Sequence, residues 1–335
     1  MSGERPRVFV SWPGYSAADP ETGKRLVDAG YALLLRPKTG ARSPEELSAL
    51  LGDAVGAVVS TDPFDRAVLE RAPRLRVVAR VGVGHDSVDT AAATRRGVAV
   101  AVALGTNAGT VADHALALML ALVRKVTVQD AATRAGRWDR VGAMTPGELP
   151  GKTVGLIGLG RIGRAVARRL RGFEVVILGH DPFVPAVEGV EMLSSVEELL
   201  RRADVVSLHA PLLPGTRDIL SAGRLGLLRP SALVVNTARG GLLDEAALLA
   251  GLRAGRIGGA ALDVFATEPP HAPSFEGVPN LILSPHNAGL SHESIRRMTA
   301  MATDNVLRVL AGEMPDTVVN REALLEAGRA RPGRG

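Results

Sequence analysis

Short apolar runs alternate with amphipathic stretches along most of the chain, and this rhythm is that of βαβ units. Over the first hundred residues, the runs Val8–Val10, Ala32–Leu35, Ala57–Val59, Arg76–Ala79 and Val98–Val100 predict strands. Helical spacing between them predicts helices at Glu21–Ala29, Pro44–Leu51, Asp65–Arg71 and Val88–Arg96. A long helix is predicted from Thr110 to Val126, with Asn107 or Thr110 as its cap. The stretch Gly136–Gly151, with Trp138 in its middle, interrupts the rhythm and reads as an exposed excursion. A second series then sets strands at Thr153–Ile157, Val175–Leu178, Val205–Leu208, Leu233–Asn236, Gly259–Leu262 and Leu281–Leu283. A last helix, Ser291–Leu310, is expected to cross back to the first series. The expected fold is α/β, built on parallel sheets covered by helices. The expected domains are 1–104 plus 290–326, discontinuous, and 105–289, with a disordered tail at 327–335.

Within the second series one segment carries chemistry. The run Val154–Ile157 leads into Gly158, Gly160 and Gly163, spaced G-x-G-x-x-G, and helical spacing follows from Ile162 to Leu170. The first glycine permits a tight turn, the second lets a pyrophosphate approach the backbone, and the third lets helix pack on strand. The helix N-terminus offers its N–H groups to the anion. After the next strand comes Asp181, placed where adenosine ribose hydroxyls would lie. The expected cofactor is NAD (NADH), with NADP disfavoured because a carboxylate repels a 2′-phosphate. Arg161 and Arg164 are the nearby cations that oppose this preference.

Composition narrows the class. The 335 residues are 46% hydrophobic and 22% charged, as in an ordinary globular protein of about two domains. Aromatics make up 3%, so the core must come from aliphatic residues and alanine. There is no cysteine, which excludes disulfides, thiolate metal sites and cysteine nucleophiles and fits a cytoplasmic location. No apolar leader segment and no membrane span is expected. A net charge of +5 without basic stretches interleaved with aromatics argues against nucleic acid and for small anionic partners. No histidine–carboxylate cluster has metal-ligand spacing, so no metal is expected.

Three further segments each lie just past a predicted strand, where open α/β sheets bind ligands. They place Arg239, Glu268 and His286 at one sheet edge. Such a trio suits hydride transfer to a 2-oxo acid. The histidine protonates the carbonyl oxygen, the carboxylate favours and orients the imidazolium, and the guanidinium binds the substrate carboxylate or polarises the carbonyl. The glycines beside Arg239 suggest close approach of a ligand.

The chain resembles the D-isomer-specific 2-hydroxyacid dehydrogenase family, in its D-3-phosphoglycerate dehydrogenase-like branch. The segments Val81–Asp89, Thr110–Leu116, Gly158–Gly163, His209–Leu212, Asn236–Gly240, Ala261–Glu268 and Pro285–His286 carry this, in family order. The resemblance implies two Rossmann-like, doubly wound domains with the active site in the cleft between them. It also implies a homodimer built through the NAD-binding domain, and the catalytic triad Arg239, Glu268 and His286. Cofactor contacts carried over are Thr110, Arg161, Ile162, Asp181, His209, Ala210, Pro211, Thr216, Thr237, Ala238, Asp263, His286, Ala288 and Gly289. Substrate contacts are Arg80, the backbone N–H groups of Val81, Gly82 and Val83, and again Arg239 and His286. The implied substrate is a small anionic 2-oxo or 2-hydroxy acid: glyoxylate, hydroxypyruvate, phosphohydroxypyruvate or phosphonopyruvate.

Some positions depart from the family pattern. Asp113 stands for glutamate, and His85 for tyrosine or valine. The segment Val59–Pro63 lacks the phosphate-binding arginine of the phosphoglycerate enzymes, and its Asp62 would repel a phosphate. Pro285 argues against formate dehydrogenases, which have glutamine there, and the lack of lysine in Val81–Gly84 argues against phosphite dehydrogenases. His114 and His292 read as structural, His180 as solvent-facing, and His209 as packed or capping. His85 is weighed as lining the substrate cleft. Trp138 reads as a dimer anchor or a pocket wall supplied by a second subunit, and Arg140 beside it as reaching that subunit. The alternative function is an NAD(H)-sensing, corepressor-like binding protein on the same fold.

Overall fold

The computed structural model describes residues 4–38, 40, 42–142 and 145–328. Most of the expected tail, 329–335, lies outside the described residues. The chain divides into two compact units, Met1–Asn107 with Ser291–Gly335, and Ala108–Leu290.

In the first unit, β1 (Arg7–Val10), α1 (Gly23–Asp28), β2 (Ala32–Leu35), α2 (Pro44–Leu51), β3 (Gly56–Val59), α3 (Arg66–Glu70), β4 (Val77–Arg80), α4 (Thr90–Arg96) and β5 (Ala99–Ala101) follow one another. Their strands pair in parallel in the order β2-β1-β3-β4-β5. Strands β3, β4 and β5 are buried at every position, as sheets covered on both faces require. The helices start later than the apolar spacing suggests because Asp65 and Asp89 act as caps, accepting from Val68 N and Ala92 N at 2.8 Å each.

The second unit opens with α5 (Ala108–Val123) and α6 (Val126–Arg134). The single helix expected from Thr110 to Val126 is therefore broken. Lys125 takes a left-handed conformation (φ 51°), and the Val123 carbonyl accepts from Gly147 N instead of continuing the ladder. Because α5 begins at Ala108, Thr110 lies within its first turn rather than at its cap. Next come β6 (Thr153–Ile157), α7 (Arg161–Leu170), β7 (Val176–His180), β8 (Glu191–Met192), α8 (Val196–Arg202) and β9 (Val205–Leu208). The unit closes with α9 (Ala222–Leu225), β10 (Leu233–Asn236), α10 (Glu245–Arg253), β11 (Gly259–Leu262) and β12 (Leu281–Leu283). The parallel order is β12-β11-β10-β9-β6-β7-β8. The edge strand β8 was not expected; two residues are too short for a period to register.

Two-sided burial holds here too: Leu199, Val206, Val234 and Leu262 pack on one face, and Met119, Val154, Val166 and Val205 on the other. The order runs outward from β6 to β7 and β8, then resumes at β9 on the other side of β6. Ligands bind at such a reversal, outside the carboxyl ends of the two strands. The remaining helices, α11 (His292–Leu310) and α12 (Arg321–Glu326), belong to the first unit. Met298, Ala302 and Val306 of α11 are buried there against Val58 and Val77.

Candidate active site

The reversal between β6 and β9 is where the glycine loop sits. Gly158 has φ +93°, and a Cβ there would meet Ala210 N at 2.5 Å. A Cβ on Gly163 would lie 2.1 Å from the Gly158 carbonyl oxygen. The outer glycines are thus demanded by the packing of β6, α7 and the loop after β9. A Cβ on Gly160, by contrast, would meet nothing within 4 Å. No side chain caps α7 at that residue, so no cap takes up its first N–H groups. A dinucleotide phosphate fits this cradle.

Asp181, one residue past β7, accepts from Leu159 N at 2.8 Å and from Phe183 N at 2.9 Å, which ties it to the glycine loop. His180 is half-buried, with Nδ1 3.0 Å from the Leu193 carbonyl, rather than solvent-facing; β7 runs two residues further than expected and carries it into the sheet. Arg164 donates from Nε to the Leu159 carbonyl at 2.9 Å, while Arg161 is exposed and Ile162 half-buried.

Apart from Thr110, in the first turn of α5, the other carried-over cofactor positions follow strands β9 to β12 of the same sheet. His209 is 9% exposed and neither ring nitrogen finds a partner among the described residues, so it is packed but caps nothing. Burial pushes its pKa down to about 4, leaving a neutral ring. Thr237 Oγ1 is likewise buried without a partner. Thr216 Oγ1 donates to the Pro211 carbonyl at 2.6 Å, closing the turn after Ala210. Ala238 N donates to Asn236 Oδ1 at 3.0 Å. Ala288 is buried and Gly289 half-buried, both in the loop after β12.

That loop also holds His286, in a left-handed conformation (φ 51°) that non-glycine residues seldom adopt outside functional or strained sites. Its Nδ1 lies 2.6 Å from Glu268 Oε2. A carboxylate only accepts, so Nδ1 carries the proton and Nε2 is the nitrogen left for a ligand. Glu268 Oε1 accepts from Phe265 N at 3.1 Å. Burial pushes the Glu268 carboxyl upward. The hydrogen bond and charge of His286, the Phe265 N–H and the charge of Arg239 outweigh it and hold the pKa below the ordinary value.

Arg239 follows β10 and donates from Nη1 to the Ala238 carbonyl at 2.7 Å. Glu268 and His286 are therefore in direct contact, while Arg239 acts on Glu268 through its field. The neighbouring glycines do not mark ligand approach. A Cβ on Gly240 would lie 1.9 Å from the Phe265 carbonyl oxygen, so this glycine lets the Arg239 and Glu268 loops lie side by side. A Cβ on Gly241 would meet a side chain instead, that of Leu212, at 3.1 Å.

Asp263 does not present its carboxylate outward. It is fully buried and accepts from Ser284 Oγ at 2.6 Å, Asn287 N at 3.0 Å and Ala288 N at 2.9 Å. No sequence signal announces this role, because its partners lie more than twenty residues away and two are backbone groups.

In the first unit, Arg80 ends β4, is 9% exposed, and donates from Nε to the Gly84 carbonyl at 2.9 Å, closing its own loop. The N–H of Val81 is engaged by the Val59 carbonyl at 2.8 Å, which removes it from the carried-over substrate contacts. The Asp62 charge is also not exposed to a ligand as expected. Arg42 Nη1 bonds it at 2.8 Å, Ser11 Oγ donates to its other oxygen, and both ionic side chains are 4% exposed. Trp138 and Val141 of the excursion are 77% and 79% exposed, and His292 begins α11. Among the described residues, no three histidine or carboxylate groups are placed to hold a metal, and no helix is long and apolar enough to cross a membrane.

The family model for the NAD-binding domain of D-isomer-specific 2-hydroxyacid dehydrogenases matches residues 116–288. Glyoxylate reductase of Korarchaeum cryptofilum is 38% identical over 331 residues, 96% of this chain and 97% of that protein. D-3-phosphoglycerate dehydrogenase of Methanocaldococcus jannaschii is 40% identical over 281 residues, 82% of this chain but 53% of that protein. The chain thus spans about half the length of that relative. Among solved structures, the NADPH-dependent glyoxylate/hydroxypyruvate reductase of Sinorhizobium meliloti with NADP and malonate superposes with a TM-score of 0.82. It is 32% identical and covers 95% of this chain and 98% of its own.

Proposed function

Because the chain belongs to the D-isomer-specific 2-hydroxyacid dehydrogenase family, we propose that it reduces a small 2-oxo acid to the D-2-hydroxy acid, reversibly, with a nicotinamide dinucleotide. The observation that carries this reading is the 2.6 Å contact of His286 Nδ1 with Glu268, which leaves Nε2 as the nitrogen for a substrate oxygen. The cofactor supplies or accepts the hydride. Arg239 binds the substrate carboxylate with its planar fork and helps keep Glu268 ionised. His286 gives its Nε2 proton to the carbonyl oxygen as negative charge builds there, and takes it back in the reverse direction. Glu268 fixes the ring's orientation and stabilises the imidazolium. Gly82 and Val83 are the backbone N–H groups proposed for the substrate carboxylate.

We infer NAD rather than NADP, on the strength of Asp181 beside the glycine loop and of Arg164 being held by the Leu159 carbonyl. The proposed substrate is glyoxylate or hydroxypyruvate rather than a phosphorylated acid. Arg42 is neutralised by Asp62, and similarity to a glyoxylate reductase extends over nearly the whole of both chains. The proposed assembly is a homodimer, with Trp138 and Val141 as contacts. The test is loss of NADH and NADPH absorbance with glyoxylate, hydroxypyruvate, phosphohydroxypyruvate and phosphonopyruvate. Faster NADH loss with the first two is expected, absent in His286→Ala. Turnover of none of them, or wild-type rates in His286→Ala, would overturn the reading.

A further inference from the structure

His114, on the inner side of α5, has no part in the chemistry above, yet its Nε2 lies 3.0 Å from Ser284 Oγ. Ser284 Oγ in turn lies 2.6 Å from Asp263 Oδ1, and His114 Nε2 is 3.7 Å from that same oxygen. A serine hydroxyl has one proton, and here it goes to the carboxylate. His114 must therefore carry a proton on Nε2 and donate it to Ser284. The buried Asp263 receives that hydroxyl together with the N–H groups of Asn287 and Ala288, and its own carbonyl accepts from His286 N at 2.8 Å. All these bonds converge on the one loop that holds His286 at positive φ.

Resting on the proposed role of His286, we propose that His114 is a positioning residue for that proton donor, acting through Ser284 and Asp263. Its N–H aims the Ser284 hydroxyl at Asp263, and the carboxylate then pins the two residues that follow His286. Without the donor, the Ser284 hydroxyl is held by its bond to Asp263 alone, and the loop is tied less tightly. An ångström of misplacement at a reacting group costs up to about a hundredfold in rate, and partial loosening correspondingly less.

The test compares His114→Leu, His114→Gln, Ser284→Ala and the His114→Leu/Ser284→Ala double variant. The readouts are kcat, KM for the 2-oxo acid, NADH affinity by fluorescence, and amide exchange at Asn287 and Ala288. His114→Leu is expected to lower kcat about tenfold, with KM and NADH affinity changed less than about twofold. Exchange at Asn287 and Ala288 is expected to quicken. His114→Gln, whose amide N–H can replace Nε2–H, restores both, and the double variant is no worse than Ser284→Ala, since one path carries the effect. Multiplying losses in the double variant, a Gln variant as poor as Leu, or a loss confined to NADH affinity would overturn the proposal. Unchanged kcat and exchange in His114→Leu, with an active and His286-dependent wild type, would sink it alone. A wild type inactive on every 2-oxo acid would instead sink the reading of the site on which it rests.

Discussion

At the scale of single residues, the Glu268–His286 pair and the buried His209 both lose their contribution as pH falls, for different physical reasons. Glu268 has its pKa held below the usual 4.5, so its contribution to the pair is present above that value and is lost as pH falls through the lowered one. The midpoint of any acid loss of activity traceable to Glu268 therefore lies below 4.5. Replacing it with glutamine leaves the imidazole oriented but removes the negative partner. Reductase kcat for Glu268→Gln is expected to fall about a hundredfold, measured across pH 5 to 8. His209 has the same sign from a different cause: burial, with no partner among the described residues, sets its folded pKa at about 4, below its ordinary 6.5. Between those values the unfolded chain binds more protons, so stability falls as pH drops through 6.5 toward 4, by about 3 kcal/mol when complete. Because neither ring nitrogen has a partner among the described residues, His209→Leu is expected to lose no hydrogen bond. Its unfolding midpoint in urea should match wild type at pH 7.5 and exceed it at pH 5; a wild-type decline in the variant would contradict this.

At the scale of elements, the unit of strand β6, glycine loop and helix α7 separates folding from binding within three glycines. Gly158→Ala places a methyl 2.5 Å from Ala210 N at a positive φ, so it is expected to destabilise the protein by more than about 2 kcal/mol. Gly160→Ala fills only open space, so its melting temperature should stay within a degree or two of wild type while NADH affinity falls at least about tenfold. Calorimetry and fluorescence titration of the two variants check this, and equal effects on both properties would refute it. The break between α5 and α6 belongs to the same scale. Apolar periodicity runs on through Val126, but the Gly147 N–H takes the Val123 carbonyl and Lys125 reverses the backbone.

At the scale of the whole molecule, each of the two units has its own parallel sheet with a core on either face. The glycine cradle belongs entirely to the second unit. NADH at about a hundred times its dissociation constant should therefore stabilise the protein by about 2.7 kcal/mol. Amide exchange should slow most in the loops after β6 and β9, and slowing elsewhere but not there would count against the assigned cradle. Strand positions, parallel pairing, the G-x-G-x-x-G turn and the trio at the ends of β10, β11 and β12 were legible in the chain alone. They depend on local periodicity and on motifs a few residues long, and those survive without knowledge of neighbours. Apart from the Glu268–His286 pair, the partners of charged and polar groups were not legible. Asp62 looked like a repelling charge until Arg42 closed on it, Gly240 looked like a ligand contact until the Phe265 carbonyl proved to need the space, and Val81 looked able to donate until Val59 accepted its N–H. His114 and Ser284 are 170 positions apart, and only packing of α5 beside the end of β12 makes them neighbours. Sequence determined which elements form and which residue types reach the sheet edge. Tertiary structure decided which of those groups are already engaged, because hydrogen bonds and ion pairs reach only a few ångströms and chain separation carries no record of them.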